Sequence, residues 1–391
     1  MALRIAVFSD SYTPILNGVS ISIRDQVREL RNQGHSVHVF TSGAPGYQEP
    51  DPNCHRFFAL ETPWTRDYPL AMPPFYPMLS RFRRQRFDLI HTHTPFTMGF
   101  VGLRWAQSHG LPIVSTYHTL YDKYAHYIPY FPKRYIRYKC AKHTNFYYSH
   151  VNHVITPSDA SARWLQRHSV TTPITVIATA TAPTQNLERA AVRRQLSIGD
   201  SAKVLLYVGR IAREKNIETL LAAVAIAMQS EPQAMLVMVG DGPFREAARR
   251  LAGDLGIGDR VRFEGFVARD QVDRYYAMAD VFAFASVTET QGLVVSEAMA
   301  YGLPAIVAQG GGAGAAVQQG VNGFLVRNQT EEIAEALQLL LKDEETRAEL
   351  AAGALATSGQ YDSRAMIEQV LGVYDQVLSS HTAQRTPVSA G

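Results

Sequence analysis

Val281-Phe-Ala-Phe-Ala285 runs directly into Ser286-Val-Thr-Glu289-Thr-Gln-Gly292-Leu293-Val294-Val-Ser-Glu297-Ala-Met-Ala300, and then into Gly302-Leu-Pro304. The opening five residues are continuously apolar, as a strand is when both faces of its sheet are covered. Gly292 opens a helix, and Gly302-Leu303-Pro304 closes it ahead of a second apolar run, Pro304–Ala308. A strand, a helix and another strand in that order imply a right-handed crossover and parallel pairing.

The same alternation extends outward in both directions. The second half offers strands at Val204–Gly209, Met235–Gly240, Val261–Glu264, Val281–Ala285, Pro304–Ala308 and Gly323–Val326. The first half offers Arg4–Ser9, Ser36–Thr41, Leu89–Thr92, Pro112–Thr116, His153–Pro157 and Ile174–Ile177. The fold class is therefore α/β, with two doubly wound parallel-sheet domains whose ligands bind beyond the carboxyl ends of the strands. The boundary is expected within Ala178–Gln185, which separates residues 1–180 from 181–362. A last helix, around Ser363–Leu378 within 363–380, is expected to cross back onto the first domain, with 381–391 a disordered tail.

A chain of 391 residues, 46% hydrophobic and 19% charged, has the composition of an ordered protein that can bury two cores. Two cysteines, Cys54 and Cys140, exclude a disulfide scaffold and a multi-cysteine zinc site. The N-terminus reads straight into a strand, without the pattern of a signal peptide, and no stretch approaches the roughly 20 apolar residues of a membrane span. A cytoplasmic protein is expected. Residues 1–180 carry 19 Lys/Arg against 10 Asp/Glu, and the remainder 19 against 25, so a basic half of +9 is joined to an acidic half of −6. That asymmetry suits one face toward an anionic partner, although drift on solvated surfaces gives it too.

The chemistry-bearing positions follow from the strand ends. Glu289 lies in the loop beyond its strand, where a carboxylate can accept sugar hydroxyls, and Glu297 lies further along the helix, where it can take a ribose diol. The N–H groups at Gly292, Leu293 and Val294 open toward a phosphate. Gly209-Arg210-Ile-Ala-Arg-Glu-Lys215 sets two cations at another strand end, either a clamp for a leaving diphosphate or a solvated basic loop. In the first half, Gly18 follows the loop after the opening strand and allows close backbone approach, or simply makes a turn. The Gly-x-Gly-x-x-Gly pattern is absent there, which removes a dinucleotide dehydrogenase. His91-Thr-His93 suggests zinc, but no third ligand stands at a recognisable spacing, so no metal site is assigned. Basic and aromatic residues mix in Arg81-Phe-Arg83-Arg84-Gln-Arg86 and in Lys133-Arg134-Tyr-Ile-Arg137-Tyr-Lys139, which suits an anionic membrane surface or a solvated face. No nucleic-acid module is present.

The set Gly209-Arg210…Lys215, Val239-Gly-Asp-Gly-Pro243, Phe263-Glu-Gly265 and Glu289-x7-Glu297 resembles the large retaining glycosyltransferase family of GT-B fold, two Rossmann-like domains facing a cleft. His91–Gly99 and Ser115–Pro129 are similar to its family 4, group 1 branch that glucosylates diacylglycerol in bacteria. The resemblance implies that Arg210 and Lys215 hold the donor diphosphate, doing the work of a metal ion, with Glu289 on the sugar and Glu297 on the ribose. It implies that His118 ends a strand facing the transferred sugar, and that the Gly18 loop approaches the donor. The implied activity is hexose transfer, from UDP-glucose as co-substrate with no cofactor, to a lipid acceptor such as diacylglycerol on the inner face of the cell membrane. GDP-mannose with phosphatidylinositol or another glycan acceptor is the alternative, as is a non-catalytic nucleotide-sugar-binding relative. Two departures stand out: Ala178-Thr-Ala-Thr-Ala182 where the family carries Pro-x-Gly-x-Asp, and Gly310-Gly-Gly-Ala313-Gly-Ala-Ala316 where it carries a glycine pair, a proline and an acid.

Overall fold

A computed structural model describes residues 2–15, 17–44, 46–60, 70–72, 75–120, 132–180, 185–359 and 363–385. The chain divides into two compact units, one of residues 1–180 with 363–391, the other of residues 181–362.

The first unit runs β1 (Arg4–Ser9), α1 (Gly18–Asn32), β2 (Ser36–Ser42), β3 (Cys54–Phe57), β4 (Ala59–Leu60), β5 (Leu70–Ala71), α2 (Tyr76–Gln85), β6 (Leu89–Thr92), α3 (Thr97–His109), β7 (Ile113–Thr116), α4 (Lys133–Tyr148), β8 (His153–Thr156), α5 (Asp159–Arg167) and β9 (Ile174–Val176). Seven strands pair in parallel in the order β3-β2-β1-β6-β7-β8-β9. Strand alternation sends successive residues to opposite faces. Ala6 and Phe8 enter an aromatic cluster with Phe40, Phe82 and Trp105, while Ile5 and Val7 enter a second cluster on the other face with Val19, Ile23 and Val27 of α1.

The second unit runs α6 (Arg189–Gln195), β10 (Lys203–Val208), α7 (Ile217–Met228), β11 (Ala234–Val239), α8 (Arg245–Asp254), β12 (Val261–Gly265), α9 (Arg269–Met278), β13 (Val281–Phe284), α10 (Leu293–Ala300), β14 (Ala305–Ala308), β15 (Gly323–Val326), α11 (Thr330–Lys342) and α12 (Glu344–Ser358). Its six strands are parallel, ordered β12-β11-β10-β13-β14-β15. The central strands are buried; Leu205, Leu206 and Phe282 have no exposed surface, and each such side chain contributes about 1.5–3 kcal/mol of burial, while the edge strands β12 and β15 are mostly part-buried. In both sheets the order reverses beside the first strand, between β1 and β6 and between β10 and β13. The loops that follow those strands therefore diverge around a crevice.

The last helix, α13 (Ser363–Arg385), belongs to the first unit, where Met366, Ile367, Val370, Val373, Tyr374 and Val377 complete the cluster over α1. The frayed tail expected from residue 381 is corrected here. Thr382-Ala-Gln-Arg385 contains no helix breaker, and the helix continues through it. Residues 386–391 lie outside the described residues.

Candidate functional site

In the second unit the crevice beside β10 and β13 is built by glycines. Gly209, at φ +148°, donates its N–H to the Val239 carbonyl at 2.9 Å. A Cβ on Gly240 would lie 2.0 Å from the Gly209 oxygen, so only glycine lets these two loops meet. Beyond them Ile211 N–H reaches the Asp241 oxygen at 3.0 Å. Arg210 is exposed at this strand end, its carbonyl accepting from Tyr207 Oη at 2.9 Å. Arg213–Lys215 forms one short 3-10 turn, and Asn216 in the left-handed conformation starts α7.

Lys215 is thereby aimed at the loop after β13. Its Nζ donates to Glu289 Oε1 at 2.5 Å, and Ser286 Oγ donates to the same oxygen at 3.1 Å. The pair is largely buried, with 11% and 20% of the two side chains exposed. Gly292 caps α10 in the left-handed region at φ +74°, and the Glu289 Cγ lies 3.7 Å from where a Cβ of Gly292 would stand. A cation, a carboxylate and the start of α10, whose first residues are Leu293 and Val294, are thus gathered at one strand end. The first N–H groups of a helix carry partial positive charge and lack intrahelical acceptors.

Glu297, about one turn into α10, is held from a different direction. Tyr276 Oη donates to its Oε2 at 2.7 Å, and Arg269 Nη2 donates to its Oε1 at 3.1 Å. Arg269 also pairs with buried Asp273 at 3.2 Å. Both brace residues lie on α9, and sequence reading missed them. The i,i+4 spacing of Arg269 and Asp273 was visible, but nothing local tied either to a carboxylate 28 positions from Arg269. The Ala-rich departure also finds a place. Gly312–Ala316 is a 3-10 turn, Gly312 N–H donates to the Glu289 carbonyl at 2.7 Å, and buried Ala313 packs where a Gly292 Cβ would be. Of the other departure, Ala178–Ala180 are described; 181–184 are outside the described residues.

In the first unit Gly18 is the first residue of α1, behind Asn17, whose side chain accepts from Ser20 N–H in a reciprocal capping box. Asp10, just past β1, is fully buried and was not singled out from sequence. It accepts from Thr94 Oγ1 at 2.6 Å and from Met98 N–H at 3.0 Å, which caps α3, and burial raises its pKa to about 6. At the ends of β6 and β7 three histidines converge, His91 within β6, His93 just past it and His118 past β7. His91 contacts Thr116 Oγ1 at 2.7 Å and Tyr374 Oη at 2.6 Å, and His93 Nδ1 meets His118 Nε2 at 2.9 Å. Burial lowers all three, His91 to about 3 and His118 to about 4, so the cluster is neutral at pH 7. Among the described residues no group of three His, Cys, Asp or Glu side chains is placed to hold a metal ion.

The expected membrane residues sit on two helices. On α4, Lys133, Arg134, Arg137 and Lys139 are exposed together with Tyr135, Tyr138 and Phe146, while Ile136, Tyr147 and Tyr148 face the core. On α2 the same division places Arg81, Arg83 and Arg84 outside, with Arg86 just beyond the helix, and Phe82 inside. Tyr121–Pro129 of the histidine-rich motif lie outside the described residues. No described helix is long and apolar enough to cross a membrane.

Two doubly wound sheets, with a cation–carboxylate pair over a helix start at the switch point of the second, are the architecture of a GT-B glycosyltransferase. Residues 16–184 match the family model Glycosyltransferase Family 4 and residues 188–356 match Glycosyl transferases group 1. The chain belongs to this GT-B, group 1 family of glycosyltransferases. It is 34% identical over 324 residues to the alpha-monoglucosyldiacylglycerol synthase of Streptococcus pneumoniae, which covers 78% of this chain and 70% of the relative. It is 30% identical to the enzyme of the same name from Acholeplasma laidlawii, over 86% of this chain and 87% of the relative. Among solved structures, sucrose-phosphate synthase from Thermosynechococcus elongatus superposes with a TM-score of 0.80 at 25% identity, covering 97% of this chain and all of that one. Anabaena HepE, solved with UDP and glucose, superposes at 0.76 with 22% identity, covering 95% and 99%.

Proposed function

We propose that this glycosyltransferase moves glucose from UDP-glucose onto a membrane lipid, diacylglycerol being the leading acceptor, with retention at the anomeric carbon. The observation that carries the donor half is the Lys215–Glu289 pair over the start of α10. In the proposed step the bond from the anomeric carbon to the diphosphate oxygen breaks, and a bond to the acceptor hydroxyl oxygen forms on the same face of the sugar. The acceptor proton passes to the departing diphosphate. Arg210, Lys215 and the N–H groups of Gly292, Leu293 and Val294 stabilise the charge that builds there. Glu289 takes sugar hydroxyls, Glu297 the ribose diol, and His118 meets the transferred sugar. The lipid half is supported by the two diacylglycerol-directed relatives and by the cationic, aromatic outer face of α4.

Radiolabelled transfer into diacylglycerol in mixed micelles containing anionic lipid tests the reading, with GDP-mannose run beside UDP-glucose. Labelled glucolipid of α configuration from UDP-glucose alone is the expected outcome. Label from GDP-mannose alone would replace the donor, and UDP binding without transfer from either would replace the enzyme with a nucleotide-sugar-binding relative.

A further inference from the structure

His93 and His118 form a pair whose proton order the surrounding protein dictates. His93 stands just past β6 and His118 two residues past β7, with their rings stacked 5.2 Å apart and Nδ1 of His93 2.9 Å from Nε2 of His118. A neutral imidazole carries a single N–H, so the contact has two versions. If His118 donated from Nε2, His93 would have to keep its own proton on Nε2. If His93 donates from Nδ1, the proton of His118 must sit on Nδ1.

The Nε2 atom of His93 decides between them. His93 is 1% exposed, and that nitrogen has no hydrogen-bond partner among the described residues. A sealed N–H without an acceptor is rarer in folded proteins than an under-used acceptor, so the bare lone pair belongs there and the proton belongs on Nδ1. A half-turn of the ring would set Cδ2 in the place of Nδ1 and lose the contact with His118. The His93 ring lies against His91 with centroids 4.2 Å apart and planes tilted by 31°, and His91 is held between Thr116 on β7 and Tyr374 on α13.

We infer that His93 is a positioning residue that holds His118 as the Nδ1–H tautomer, so that His118 presents a neutral hydrogen-bond donor through Nδ1 and does not serve as a general base. The tautomer rests on the geometry of the pair; its use in transfer rests on the proposal that His118 meets the sugar. A donor there suits a sugar hydroxyl oxygen, and the acceptor proton must then leave by another route, as it does when the departing diphosphate takes it.

The test is carried out on the full chain labelled with ¹⁵N-histidine, by long-range ¹H–¹⁵N correlation of the ring nitrogens at pH 7.5, with His118 assigned from a His118→Gln sample. A protonated Nδ1 and bare Nε2 at His118 is the expected result, and the reverse pattern overturns the inference. Transfer kinetics add a second reading. His93→Asn keeps an N–H donor near the place of Nδ1 and should stay within about threefold of the native kcat, whereas His93→Leu should lose roughly 10- to 100-fold, with UDP affinity unchanged in both. Equal losses in two variants with native melting temperatures would overturn the positioning role. A native rate in His118→Ala beside the expected tautomer would leave the pair assigned as inferred and fault only the placing of His118 on the sugar.

Discussion

At Lys215 the ammonium already has a partner in Glu289, so removing it acts twice. Lys215→Ala strips the proposed diphosphate of a cation and leaves a largely buried carboxylate uncompensated. Transfer should fall by roughly 10²- to 10³-fold, and the melting temperature should fall as well. Adding Glu289→Gln removes the stranded charge. The double variant should regain much of the lost stability but none of the activity, and paired melting and transfer assays would show whether the two effects separate. Gly292 makes a second case. Its left-handed backbone costs a residue with a Cβ about 1–2 kcal/mol, and that Cβ would stand 2.6 Å from the Cβ of Ala313. Gly292→Ala should lower both stability and UDP affinity, and Ala313→Gly should restore part of each; no recovery would mean the two loops do not pack as described. The Glu-x7-Glu spacing and the glycine between its ends were legible in the sequence because they lie on one loop and one helix. The grip of Arg269 and Tyr276 on Glu297, the cap made by Asp10 and the His93–His118 pair were not, since each joins residues that only the sheet order brings together.

Among the elements, the twelve expected strands were legible because most centre on short runs of β-branched and other apolar residues, and their ends agree with the structure within a residue or so. Strand β3 escaped because Cys54-His-Arg-Phe57 is half polar and lies at the edge of its sheet, with one neighbour to satisfy. The strands β4 and β5 escaped because two residues each leave no periodicity to read. Helix α4 is an element whose outer face asks for a partner. Tyr135, Tyr138 and Phe146 are about half exposed or more, beside five exposed cations, while the helix is anchored through Ile136, Tyr147 and Tyr148. Full-length protein should therefore sediment with vesicles containing anionic lipid. Neutralising Lys133, Arg134, Arg137 and Lys139 one at a time should weaken binding by about fivefold each and flatten its salt dependence. Tyr135→Ser with Tyr138→Ser should weaken binding at every salt concentration. Sedimentation unchanged by all of these would remove α4 from the membrane contact.

Across the whole molecule the titratable groups are divided as unevenly as the charge. All 13 histidines and all three tryptophans fall in residues 1–180 and 363–391, the first unit, and residues 181–362 contain neither. Burial lowers His91 to about 3, His55 and His118 to about 4, and His93 well below the ordinary value of 6.5. A histidine with a depressed folded pKa takes up its proton first in the unfolded chain. Its contribution is intact above pH 6.5 and drains away as pH falls from 6.5 toward the folded value, at about 1.4 kcal/mol per pH unit for each such group. Asp10 works in the opposite sense. Its folded pKa near 6 exceeds the ordinary 3.8, so the folded state gains between pH 6 and 3.8 and offsets one histidine of the four. The balance still favours unfolding of the first unit in acid, and no histidine in the second unit adds to it. Because every tryptophan reports on the first unit, its fluorescence should show a urea midpoint that drops steeply between pH 7 and pH 5. Far-UV circular dichroism, which sees both units, should over the same range resolve a second transition whose midpoint moves much less. Coincident fluorescence and dichroism transitions at pH 5 would show instead that the two units unfold as one, with the histidine cluster setting the acid stability of the entire chain.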